Sequence, residues 1–156
     1  MNDRPAKLLF DECLGKPAIS KLAEIVAMGG GVKPQVSHLF EYAPPGTRDE
    51  VWVPGLASDG WTVITADGGH RPNKNRGAKL PLLCHQYSVT HVVLSSFVHN
   101  RTTFEKIVTI MSVWYQIVDI ASDSSLAGKR YVLEPANLPE RGQGKLREQI
   151  PKIKPQ

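Results

Sequence analysis

Three aspartates stand at positions where a folded chain could bring carboxylates together. Asp11 follows a short apolar run, AKLLF, and Asp67 ends a β-branched run, WTVITAD, so each is predicted to close a buried strand. Asp49 lies between them in the sequence, near the predicted start of a helix. Because parallel sheets place their ligand sites outside the carboxyl ends of the strands, we expect these carboxylates at one edge of the sheet.

Such an acidic cluster predicts a hard divalent cation, since carboxylates at close range repel one another unless a cation lies between them. Mg²⁺ or Mn²⁺ is the expected ion, with waters and a substrate phosphate completing its octahedral coordination. A metal bound in this way would lower the pKa of a water ligand and neutralise charge on a phosphate. The expected chemistry is therefore phosphodiester hydrolysis, with Asp11, Asp49 and Asp67 as metal ligands and catalytic residues.

Two glutamates lie beside these aspartates, Glu12 and Glu50. The sequence Thr47-Arg48-Asp49-Glu50 matches a capping box, which would turn Glu50 back to the backbone N–H of Thr47 and leave Asp49 as the ligand. Glu50 is therefore predicted to support the site from behind the ligands. Glu12 is predicted either to hydrogen bond to a ligand in the same way or to be a solvated neighbour.

The elements that must position these residues alternate along the chain. Strands are predicted over residues 6–10, 35–40, 61–67, 91–97 and 131–133, and helices over 17–28, from Thr47 towards Gly60, and from Thr102 to about Ala121. Pro54 should shorten or kink the second helix, and Thr102 with Glu105 forms another capping box. Strands alternating with helices predict an α/β fold with a mostly parallel sheet covered on both faces.

The last predicted helix has a run of large apolar residues at helical spacing. They are predicted to form its buried face rather than a cofactor site. The set comprises Phe104, Ile107, Val108, Met111, Trp114, Tyr115 and Val118.

Length and composition predict one soluble domain in the cytoplasm. The chain has 156 residues, 41% of them hydrophobic, and no run approaches the roughly 18 apolar residues of a membrane span. The N-terminal residues MNDRPAK lack the apolar stretch of a secretory signal. Cys13 and Cys84 have no metal-ligand spacing and are predicted to be small core residues.

The charge distribution indicates a polyanionic partner. The net charge is only +4, but residues 68–104 contain no Asp or Glu, so the basic residues there are unopposed. Such a stretch attracts nucleic acid by neutralising phosphates and releasing counterions. A solvated basic loop is the alternative interpretation.

Parts of the sequence resemble a known family. The segments FDE, at 10–12, and GTRDEVWVPGLASDGWTVITAD, at 46–67, together with the later aromatic helix, resemble PIN-like toxin domains, most closely a VapC-type subgroup. The resemblance implies a three-layer α/β/α fold and a Mg²⁺- or Mn²⁺-dependent ribonuclease, with its acids at Asp11, Asp49 and Asp67. It also implies the toxin of a toxin–antitoxin pair, inhibited by a cognate antitoxin protein and commonly a homodimer.

Composition sets the predicted boundary of the domain, and the resemblance shows one departure from the family pattern. The nuclease domain is predicted at residues 5–134 and a flexible, charged tail at 135–156.

PIN domains usually add a further acid after the third strand, whereas this chain has histidine, asparagine and basic residues there. One metal therefore fits better than two, and three basic side chains are predicted to bind RNA phosphates. They are Arg71, Lys74 and Arg76.

Two other functions fit the same residues. A receiver-like phospho-acceptor signalling domain also has an acidic pair after the first strand and an aspartate after the third, with Ser95 or Ser96 as the hydroxyl after the fourth. Against it, a proline-rich loop lies between Asp11 and Asp67, and Lys129 precedes the last strand rather than following it. A catalytically degenerate PIN-like module that binds RNA or antitoxin is the other alternative.

Overall fold

The computed structural model describes residues 2–31, 33–66, 80–137 and 142–150. Within them the chain forms six strands, seven α-helices and one 3₁₀ turn at Ser124–Leu126. The strands are β1 (Lys7–Phe10), β2 (Gln35–His38), β3 (Thr62–Thr65), β4 (His91–Leu94), β5 (Arg130–Pro135) and β6 (Gly144–Gln149). The helices are α1 (Lys16–Ala27), α2 (Leu39–Tyr42), α3 (Asp49–Asp59), α4 (Leu80–Gln86), α5 (Ser96–His99), α6 (Thr103–Ser112) and α7 (Trp114–Ser122).

All six strands belong to one sheet, in the order β2-β1-β3-β4-β5-β6. The first five are parallel, and β6 is antiparallel to β5, with Leu133 opposite Leu146. Phe10 pairs with His38 on one side and with Ile64 on the other, so β1, β2 and β3 end at the same level. The predicted fold class, a mostly parallel sheet in a three-layer α/β/α arrangement, is confirmed.

Helices cover both faces of the sheet because alternate strand residues point to opposite sides. On one face α1, α6 and α7 pack over Leu8, Phe10 and Ile64. On the other, α3 and α4 pack over Leu9 and Val63. Each face thus has its own hydrophobic core.

The strand order reverses between β1 and β3. From β1 the chain crosses through α1 to β2 on one side, whereas from β3 it crosses through α4 to β4 on the other. The helices α1 and α4 lie on opposite faces of the sheet, and a reversal of this kind forms a crevice at the carboxyl ends of the strands where it occurs. Asp11 directly follows β1 at this point.

The second predicted strand and the last predicted helix are shorter than expected. β2 ends at His38 because the His38 ring accepts the backbone N–H of Phe40 at 3.1 Å and caps α2. The helix beginning at Thr103 ends at Ser112, whose hydroxyl donates to the Thr109 carbonyl at 2.6 Å and accepts the Gly144 N–H at 2.9 Å. A serine hydroxyl that bonds to a carbonyl of the preceding turn bends a helix. Here α6 ends at this serine, and α7 begins two residues later.

The predicted buried face of that helix is correct only in part. Trp114 is buried, and Ile107, Met111 and Val118 pack against the core, but Phe104 is 75% and Tyr115 85% exposed. The break at Val113 changes the helical phase, so a single period over the whole segment selects the wrong residues. The capping box of Thr102 and Glu105 is confirmed, with both hydrogen bonds formed.

The C-terminal segment differs from the predicted flexible tail. Residues 144–149 form β6, and Leu146 packs against the core beside Leu133. Apolar and polar residues alternate too weakly in KLREQ for a strand to be predicted. The strand forms because its backbone pairs with β5, although its local β-propensity is low. The division at residue 134 stays a prediction. Among the described residues, no helix combines the length and the apolar character needed to cross a membrane.

Candidate active site

The Asp11 carboxylate lies at the crevice and is held in one orientation. Its backbone N–H donates to the Ile64 carbonyl at 3.1 Å, which extends the pairing of β1 with β3. Oδ1 accepts the N–H of Cys13 at 2.9 Å, and Oδ2 accepts the hydroxyl of Thr65. A carboxylate oxygen has more than one lone-pair site, so accepting one hydrogen bond does not prevent it from coordinating a metal ion.

The loop after β1 is fixed from three neighbouring elements. His38, at the end of β2, donates from Nε2 to the Leu14 carbonyl at 3.0 Å, because its Nδ1 already accepts from Phe40. Thr65 reaches it from β3, and Lys106, on α6, donates from Nζ to the Cys13 carbonyl at 2.9 Å. A site whose supporting groups are already bonded needs little reorganisation when a ligand arrives.

Cys13 connects these groups but is not a nucleophile. Its side chain is 5% exposed and its Sγ lies 3.6 Å from the Ile64 carbonyl. Burial raises the pKa of the Cys13 thiol well above its usual value, and the negative charge of Asp11 raises it further. The reactive thiolate is therefore disfavoured. Cys84 is also buried, so the prediction that both cysteines are core residues is confirmed.

Asp49 and Glu50 occupy the first turn of α3, and both are half-buried. This helix packs against the sheet through Trp52, Val53 and Leu56 and leads directly into the start of β3. Its first turn therefore lies at the opposite edge of the sheet, where the strands end and where Asp11 lies. Acidic side chains there also complement the helix dipole.

The predicted capping box at Thr47 is wrong. The N-cap is Arg48, one residue later, and the Thr47 hydroxyl donates instead to the Pro44 carbonyl at 2.6 Å. Gly46, with φ +82°, turns the chain so that Thr47 belongs to the preceding turn. Capping at Thr47 therefore does not distinguish Asp49 from Glu50 as the ligand from this helix.

The other predicted site residues are only partly covered. Glu12 is exposed and directly follows Asp11. Asp67 and the basic residues Arg71, Lys74 and Arg76 lie outside the described residues, so their assignments stay predictions.

Two side chains at this edge, Thr65 and Lys106, were not found from the sequence, and a third, Ser95, was predicted only in a different role. Thr65 precedes the predicted ligand Asp67 by two residues, and side chains at this spacing in a strand point to the same face. This spacing is the sequence signal that could have identified Thr65. Lys106 is 93 residues from the carbonyl it binds, so no local spacing reveals it. Ser95 follows β4, and its buried Oγ has no hydrogen-bond partner among the described residues. Its predicted role was the hydroxyl of a receiver domain.

The donor set fits a hard divalent cation. Asp11 and Asp49 offer carboxylate oxygens, the ligands that Mg²⁺ and Mn²⁺ prefer. Within residues 2–31, 33–66, 80–137 and 142–150, no three His, Cys, Asp or Glu side chains are grouped closely enough to hold a metal. The predicted third carboxylate, Asp67, is not among these residues.

Comparison with known families gives one match. The family model described as PIN like domain matches residues 6–80, which span β1 to β3 and include Asp11, Asp49 and Asp67. The match supports a PIN-like domain. Such a domain suggests a nuclease-type function in general. No curated protein and no solved structure shows a significant match to the chain.

Proposed function

We propose that this protein is a metal-dependent endoribonuclease that hydrolyses RNA phosphodiester bonds. The observation that carries the proposal is the Asp11 carboxylate, held by Thr65 and by the Cys13 N–H at the reversal point of a parallel sheet. This is where sheets of this kind bind phosphate-bearing ligands. The PIN-like match over residues 6–80 supports a nuclease at this position.

Each part of the site has a role in the proposed reaction. Asp11, Asp49 and Asp67 would hold Mg²⁺ or Mn²⁺, which when bound supplies a water of lowered pKa and neutralises charge on the phosphate. Thr65 keeps Asp11 in the orientation needed for coordination. Glu12 and Glu50 stand beside the ligands, where they can hydrogen bond to water or to ligand groups. Arg71, Lys74 and Arg76 would bind RNA phosphates.

We further propose that the enzyme is the toxin of a toxin–antitoxin pair in the cytoplasm, with a cognate antitoxin and a homodimeric state. The resemblance to the VapC-type subgroup in 10–12 and 46–67 supports this assignment. A neighbouring gene for a small DNA-binding protein that forms a complex with this chain and inhibits cleavage is the expected finding.

The nuclease proposal is tested with Asp67→Asn and Asp11→Asn. Both variants should lose Mn²⁺-dependent cleavage of a labelled single-stranded RNA while keeping the wild-type circular dichroism spectrum. Glu24→Gln, on the exposed side of α1, is the matched control and should cleave at the wild-type rate. Undiminished cleavage by Asp67→Asn contradicts the proposal.

A receiver-like domain is the second candidate, because the order β2-β1-β3-β4-β5 is also the strand order of receivers. Incubation with a small phosphodonor separates the two functions, since only a receiver forms a stable aspartyl-phosphate, detectable by intact-protein mass. A degenerate PIN-like module is distinguished by calorimetric Mn²⁺ titration, in which it should show no binding at millimolar concentrations.

A further inference from the structure

We propose that the Lys106 ammonium is a phosphate-binding group of the same site, where it contacts a non-bridging oxygen of the bound RNA. The proposal rests on the proposed function, because it names a further residue that contacts the substrate. It adds a cation from α6, beyond the segment that matches the PIN-like model.

The geometry links Lys106 to the Asp11 carboxylate through a single residue, Cys13. Nζ lies 2.9 Å from the carbonyl oxygen of Cys13, and the N–H of that same Cys13 lies 2.9 Å from Oδ1 of Asp11. The ammonium also acts on Cys13 electrostatically, opposing the effect of Asp11 on the pKa of the thiol. An anion that reaches Asp11 from the crevice therefore comes within the field of Lys106.

The ammonium is not neutralised by its own surroundings. Two lysines elsewhere in the described chain face carboxylates: Lys21 lies 3.3 Å from Glu24, and Lys129 lies 3.3 Å from Glu148. Within the described residues, the Lys106 ammonium has one acceptor, the uncharged Cys13 carbonyl. It carries three N–H donors, so two stay available. A half-buried cation with spare donors is stabilised by a bound phosphate.

Charge balance gives this cation a function. A phosphate beside several carboxylates is repelled by them, and a fixed ammonium offsets that repulsion without having to move. Residues 68–104 contain no Asp or Glu, so the sequence directly after the third strand offers no further carboxylate for a second metal ion. A basic side chain of the protein can supply the second positive charge instead. Lys106 supplies one at the correct edge of the sheet.

The alternative is that Lys106 only clamps the loop after β1. Lys106→Gln separates the two roles, because its amide can still donate to the Cys13 carbonyl but has no charge. Lys106→Arg keeps the charge. Lys21→Gln removes a charge of the same kind from an exposed ion pair and is the matched control.

The experiment measures binding of a labelled single-stranded RNA by fluorescence anisotropy in EDTA, without metal and without cleavage, over a range of salt concentrations. Lys106→Gln should weaken binding roughly tenfold, the scale of one charge-assisted hydrogen bond. It should also reduce the slope of log Kd against log salt by about 0.7, as expected for one lost phosphate contact on a single strand. Lys106→Arg and Lys21→Gln should bind as the wild type does.

Several outcomes overturn the inference. If Lys106→Gln binds with the wild-type Kd and salt slope, or only lowers the melting temperature, Lys106 is a clamp. If the wild type does not bind RNA in this assay, the phosphate contact is also refuted. The nuclease proposal fails separately, when the wild type binds RNA but Asp67→Asn cleaves as well as the wild type does.

Discussion

The hydroxyl of Thr65 donates a hydrogen bond to Oδ2 of Asp11, and this bond joins the ends of β3 and β1 where the strand order reverses. Thr65 is fully buried, so the bond is protected from competing water. It therefore fixes the direction in which the carboxylate presents its remaining lone pairs.

Thr65→Val should damage this arrangement while preserving side-chain volume. We expect RNA cleavage to fall at least tenfold and the free energy of unfolding to fall by about 1–2 kcal/mol, because a hydrogen bond to a charged group is lost. Initial rates and urea unfolding measure the two effects. Thr65→Ser keeps the hydroxyl and should retain most of the activity, and equal loss in both variants contradicts the role given to this bond.

Asp49 and Glu50 compete for the same role in the first turn of α3. Asp49→Asn is expected to reduce Mn²⁺ affinity and cleavage by at least tenfold, because a charged ligand is lost, whereas Glu50→Gln should change both by a few fold only. Calorimetric Mn²⁺ titration of each variant measures the affinity directly. The opposite ranking would identify Glu50 as the ligand from this helix.

His91 makes the stability depend on pH. Its side chain is fully buried at the start of β4, and its Nδ1 donates to the Val89 carbonyl at 3.2 Å. Burial is the main cause that lowers the pKa of His91 from 6.5 to about 4; the charges of Arg130 and His85 act in the same direction, and the Val89 hydrogen bond opposes them. The unfolded chain therefore binds a proton between these pH values that the folded chain does not.

The free energy of unfolding should consequently fall as the pH is lowered from 6.5 to about 4, by on the order of 3 kcal/mol. Urea unfolding at successive pH values measures this slope. His91→Gln should flatten it, whereas His85→Gln, at an exposed position of α4, should leave most of it. A slope unchanged in His91→Gln means that another group is responsible.

The capping box at the start of α6 gives a test of local stability. Thr102→Ala removes the acceptor for the Glu105 N–H and should cost about 1 kcal/mol of unfolding free energy. Thermal unfolding should show a midpoint lower by several degrees, with Thr102→Ser close to the wild type. Because this helix also carries Lys106, RNA binding by Thr102→Ala reports whether the cap helps to place that side chain.

Much of the fold could be predicted from local sequence. The run before Asp11 is apolar and the run that contains Thr65 is rich in β-branched residues, as is typical of buried strands. Strands alternating with helices specify a parallel sheet. The capping box at Thr102 was found in the same way. The identical pattern at Thr47 failed because the turn before it, with Gly46 at positive φ, uses the threonine hydroxyl first.

The supporting groups of the site could not be predicted from spacing. Lys106 reaches the Cys13 carbonyl only because α6 packs on the same face as α1, and His38 reaches the Leu14 carbonyl only because β2 lies beside β1. Both contacts depend on tertiary packing. The sequence identifies candidate chemical groups, but their neighbours depend on which elements meet.

The pairing of β6 with β5 has a consequence for synthesis of the chain. Until Gly144–Gln149 has left the ribosome, the outer edge of Arg130–Pro135 has no strand beside it, and this edge includes the apolar residues Tyr131, Val132 and Leu133. An uncovered apolar edge is a template for pairing with other chains. A nascent protein stalled or cut before residue 144 should therefore be prone to aggregate.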